Sequence, residues 1–491
     1  MNRRQAIARL GLGAAGVWLR PPALLAGPEV PTDRLTDLAR RIRETPRREI
    51  LALAADAIGR GAGPRNLLGA TFLAGVHDVQ PRPVGNNLHS VMTVEASYRL
   101  VEMATSPKEA WLVALWNLDA FKATQRERGE DWVLPPAPQV AFTSEAAARR
   151  ELITALDTWD EARADRAIVG LLPYLDRKSL YEILWPYSAR CMAYLGHKIV
   201  YGAMTEAVLR RIDWRYAEPV ARSLVYGLVG QGREGPLIRA YEHAVTVEAS
   251  FPEGWLARQG TDPKTSVAVL RSLLTGDYKN AHNTMIQAAR DGASAQTLWD
   301  AARLGAAELW LRRKSNDPES GEAIRAVHAV TEVWSLSHAW RATRSARNRH
   351  LLLLQAASWV PEMRDMLLAR DAIAMQGPGI ENLGEGVKEP PGSLDELFQD
   401  GDPGAARAFL ERYPQQAAGF RQRLRRHLAA KGAEYHQFKY AVALVDETAP
   451  AHPRWTARLL APAVGYMPTH RTRDNELTES SLHALRQAGA I

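Results

Sequence analysis

The segment AIGRGAGPRNLLGATFLAG (57–75) aligns without a gap on AARDGASAQTLWDAARLGA (288–306). Ala57, Gly61, Ala62, Leu67, Ala70 and Leu73 fall on Ala288, Gly292, Ala293, Leu298, Ala301 and Leu304, an offset of 231. At an offset of 239, His89 falls on His328 and His197 on His436. The pattern reads as one helical module written twice, with two histidines in each copy. Its period of about 235 residues is far longer than that of a solenoid repeat.

Working outward, the same periodicity runs through 153–172 and 322–342, where apolar residues recur at three and four. Alanine, leucine, arginine and glutamate, all good helix formers, are abundant. Alternating, β-branched runs are scarce. The expected fold is all-α, a large helical bundle built from two pseudo-repeated halves. A first half spans 33–229 and a second 265–480. A Gly- and Pro-bearing connector, 230–264, joins them. Proline and glycine also break the pattern at VLPPAPQVAF (133–142) and in a loop at 374–404, again at an offset near 239.

Residues 1–26 read as a signal peptide. Arg3-Arg4 precede an apolar run, Leu10 to Leu19, and a small-residue stretch near Ala26, the layout of a twin-arginine export signal. The apolar run falls short of the ~20 residues that span a bilayer. The expected partner is therefore the twin-arginine export machinery, and the expected location periplasmic or extracellular, with no membrane span in the mature form. Gly11, Gly13 and Gly16 spell a dinucleotide fingerprint, but no strand precedes them and they lie in the leader. Without the four arginines of the leader the net charge drops from +7 to 58 − 55 = +3. That balance lacks the field of a nucleic-acid binder. The single cysteine, Cys191, excludes an internal disulfide.

His89, His197, His328 and His436 each read as opening a helical run. The residue four positions on shares the helix face: Thr93, Tyr201, Glu332 and Tyr440. Neutral imidazole is the commonest metal ligand, and its second nitrogen needs an orienting partner. The four histidines are thus candidate metal ligands or acid/base catalytic groups. Tyr201, Glu332 and Tyr440 are candidate cofactor contacts, Glu332 also as a ligand. A histidine-liganded Zn, Cu or Fe ion, or bis-histidine haem, suits this set better than a carboxylate-rich di-iron site. The alternative is a helical scaffold or binding protein whose histidines are structural.

Weaker candidates surround these. His77-Asp78 precedes two prolines and reads as loop. Asp119 and Lys122 read as a surface pair, and Arg341, Arg344 and Arg347 as a solvated stripe. Fourteen tryptophans, among them Trp111, Trp116, Trp159, Trp185, Trp334 and Trp340, read as core, or as a cleft for an aromatic small molecule.

The stretches AGVHDVQPRPVGNNLHSVM, ALWNLDAFKATQ, GHKIVYGAMTEAVLRRIDWRYAEPVARSLVYGL, AVHAVTEVWSL, LLLLQAASWVPEMR and KGAEYHQFKYA resemble a group of twin-arginine-exported, all-helical bacterial proteins of unassigned activity. More distantly, LGHKIVYGAMTEAVL and VHAVTEVWSL resemble the questin oxidase-like family. That similarity implies an oxidoreductase-like enzyme acting on a ring-bearing substrate, with NADPH as cofactor, and carries over His89, His197, His328 and His436 as site residues. The closely paired histidines of that family are missing, since no H-x-x-H occurs in this sequence.

Overall fold

The computed structural model describes residues 32–127, 132–230 and 236–491. The leader, 1–26, lies outside them. The regular elements of the described residues are all helices, with no strand and one isolated bridge between Arg313 and Ile373. No described helix is long and apolar enough to cross a membrane.

Four helices form a ring at the centre: His89–Glu102, His197–Ile212, Gly321–Ala342 and Tyr435–Thr448. The first and third each pack on both the second and the fourth. The ring therefore joins the two portions of the chain rather than lying within either. Outside it, Pro64–Asp78 and Pro107–Glu127 pack on the His89 helix, while Ala295–Leu311 and Ala346–Ala369 pack on the Gly321 helix. One continuous apolar core runs through all of them.

The repeated segment has a local counterpart. Pro64–Asp78 and Ala295–Leu311 begin at the offset of 231, and Pro107–Glu127 and Ala346–Ala369 at the offset of 239. The turns before the first pair close alike. Gly61 and Gly292 have φ of 89° and 107°. The amides of Ala62 and Ala293 reach back 2.9 Å to the carbonyls of Ala57 and Ala288. This is the left-handed glycine cap that satisfies a helix's last carbonyls.

The structure changes several local readings. His77 and Asp78 form the last turn of Pro64–Asp78, not a loop; the prolines at 81 and 83 act only after that turn. Asp78 accepts from Arg43 at 2.7 Å and from Gln125 at 2.8 Å. Lys122 is buried, and donates to the carbonyls of Ile42 and Arg43. Asp119 pairs with Arg47 instead. Within the connector, Pro236–Val247 is a helix packed on Ala346–Ala369. The 374–404 stretch carries the short helix Leu394–Asp400 and the start of Pro403–Arg412. Trp111, Trp116, Trp185 and Trp334 are buried. Trp116 stacks on Phe438 at 3.9 Å. Trp159 instead caps a helix end at φ 60°, under the Arg190 guanidinium.

Candidate metal centre

The helix ring brings the four histidines together. One ring nitrogen from each of His89, His197, His328 and His436 lies within 4.8 Å of all the others. Neighbouring ring centroids are 4.8 Å apart for His89 and His197 and 4.4 Å for His197 and His328. They are 4.7 Å for His328 and His436, and 4.5 Å for His436 and His89. The diagonal from His89 to His328 is 6.2 Å. The imidazoles thus follow the order of their helices around the ring. They are 8%, 4%, 0% and 1% exposed in chain order.

His89 and His197 are the first residues of their helices and His436 the second. His328 departs from the sequence reading. It lies two turns inside Gly321–Ala342, because Ser320 caps that helix earlier, accepting from Ala323 N at 3.1 Å.

Helical side chains lean toward the N-terminus. An imidazole on a first turn therefore meets residues before its helix, not those four positions on. His197 Nδ1 donates to the Tyr194 carbonyl. His436 Nδ1 donates to Glu434 Oε1 at 2.7 Å, while Glu434 Oε2 accepts the His436 amide at 2.6 Å. His89 Nδ1 lies 3.1 Å from Lys439 Nζ. Three rings are thus held at Nδ1. His436 Nε2 faces His328 Nε2 at 2.9 Å, and His197 Nε2 is buried with no partner among the described residues.

Electrostatics keeps the rings uncharged. Burial, then the Lys439 charge and the neighbouring imidazoles, holds His89 well below its usual range. Burial and the other rings do the same for His328. Burial lowers His197 to about 3. His436 is also lowered by burial, against the pull of Glu434. Burial lowers Lys439 to about 7, opposed by Glu434. For Glu434 burial works upward, but its attraction to His436, the hydrogen bonds from that ring and amide, and nearby Lys439 outweigh it and hold the carboxyl low. Four neutral imidazoles, one oriented by a carboxylate, are a donor set ready for a metal ion.

The residues four positions on serve otherwise. Thr93 Oγ1 donates to the His89 carbonyl within its helix. Tyr201 shares a hydrogen bond with Ser223 Oγ at 2.7 Å. Tyr440 packs its ring on Trp310 and Tyr466. Only Glu332 adjoins the site's frame: a Cβ at Gly196 would collide with its carboxylate. Glu332 Oε2 is buried and unpartnered among the described residues, and burial raises this carboxyl well above its usual range.

Sequence reasoning missed Glu434, Lys439 and Tyr194. The signal for the first two lay in EYHQFK, a carboxylate two before and a lysine three after the histidine. Nothing in the sequence marks the Tyr194 carbonyl. It is aimed by three successive left-handed residues, Tyr194, Leu195 and Gly196, at φ 52°, 59° and 76°. Such strain concentrates at functional sites.

Set against family models, curated proteins and solved structures, the chain finds no match.

Proposed function

We propose that the protein is an exported, metal-dependent, oxidoreductase-like enzyme whose His89, His197, His328 and His436 hold one first-row transition metal ion. The observation that carries this reading is the convergence of four buried, uncharged imidazoles within 4.8 Å. Glu434 and the Tyr194 carbonyl add support, since each accepts a ring's Nδ1–H and leaves Nε2 for the ion. An all-nitrogen set suits Fe, Ni, Cu or Zn, and not Mg or Ca, which demand oxygen. Haem loses support. Its ring would need the space between two axial histidines, and the other two imidazoles fill it. The buried tryptophans pack the core and add no support for an aromatic ligand.

The matched helix starts and glycine turns support descent from a doubled bundle whose imidazole-bearing faces now meet. The Arg3-Arg4 leader supports twin-arginine export, a route that carries folded and metal-loaded proteins.

The test is to strip the purified chain with a chelator and titrate it with Co2+. This reading expects visible ligand-field bands that saturate at one ion per chain. A scaffold with structural histidines gives no band and no change in melting temperature.

A further inference from the structure

Building on the metal reading, we infer that the centre takes a small anion, of carboxylate or oxyanion type, as a ligand on the ion.

The first ground is charge. Helices His89–Glu102, His197–Ile212 and Tyr435–Thr448 all begin at the cluster, so three positive dipole ends converge there. Lys439, fully buried, adds its nitrogen 3.1 Å from His89. The four imidazoles bring no negative charge to offset a divalent ion. Among the contacts described, the carboxylate bonded to a ligand is Glu434 alone. Net positive charge sealed in an apolar core is costly unless an anion joins it.

The second ground is geometry. With metal–nitrogen bonds of about 2.0–2.1 Å, a tetrahedral set needs every nitrogen pair about 3.4 Å apart. An octahedral set has pairs at about 2.9 Å and about 4.2 Å. Here His328 and His436 stand 2.9 Å apart and the whole set spreads to within 4.8 Å. Neither figure is that of a closed tetrahedral set, which leaves the ion room for a further ligand. His197 Nε2, buried and without a partner among the described residues, points to an ion at this place independently of the dipoles.

The third ground is size. No imidazole is more than 8% exposed, so the anion is a small free one and not the end of a bulky molecule.

The experiment loads the stripped full-length chain with Co2+, then titrates it with azide, formate and benzoate while recording the visible spectrum. Azide and formate should shift the cobalt bands with saturation, and benzoate should not. Lys439→Met should weaken formate affinity about tenfold, read per bound cobalt ion. Cobalt bands that ignore azide and formate overturn the inference and leave the metal reading standing. A benzoate response as strong as that of formate overturns the small-anion assignment. No cobalt band at all overturns the metal reading itself.

Discussion

Glu434 Oε1 accepts a hydrogen bond from His436 Nδ1 at 2.7 Å, while the opposite nitrogen of that ring faces His328 Nε2 at 2.9 Å. The carboxylate fixes the tautomer and raises the ring's basicity. Glu434→Gln keeps the shape and removes the charge. Metal affinity should fall about 10- to 100-fold with the fold intact. A competition titration against a chromophoric chelator reads this directly, and unchanged affinity would remove Glu434 from the centre.

His328 is fully buried and belongs to the middle of a long helix, so its backbone does not depend on its ring. His328→Ala should retain the helical circular dichroism and lose most of the bound metal. Full metal content in that variant would take His328 off the ligand set.

Gly196 has φ 76° and faces the Glu332 carboxylate. Gly196→Ala adds a left-handed penalty of about 1–2 kcal/mol and a collision. It should lower the melting temperature and weaken metal binding together. A thermal melt checks the sign; stabilisation by Gly196→Ala would refute the strained-turn account.

Acid should weaken the metal-free protein. His197 titrates at about 3 in the fold against an ordinary 6.5, so the unfolded chain takes up its proton first. The stability this histidine supports is complete above about pH 6.5 and is lost as pH falls from there toward 3. The slope is at most about 1.4 kcal/mol per pH unit. Urea midpoints at pH 7.5, 6 and 5 should drop more steeply for the wild type than for His197→Gln. Parallel curves would contradict the buried, neutral state of this ring.

The four histidines were legible because helical periodicity puts each on a helix, and those four helices pack into one ring. His328 was misplaced by two turns, since Ser320 starts its helix earlier than the apolar pattern suggests. The partners of the rings were sought four residues on, where Thr93, Tyr201 and Tyr440 turned out to serve other contacts. The lean of helical side chains toward the N-terminus explains why Tyr194 and Glu434 hold the rings instead. Lys439 is buried only because the ring of helices closes over it, which no local pattern announces.

Metal content per chain, by inductively coupled plasma mass spectrometry on protein purified without added chelator, tests the central claim most directly. The account predicts one first-row transition metal ion per wild-type chain, and a loss to well below half in each single alanine variant of His89, His197, His328 and His436. Wild-type protein free of such a metal, and unable to bind one when it is supplied, would contradict it.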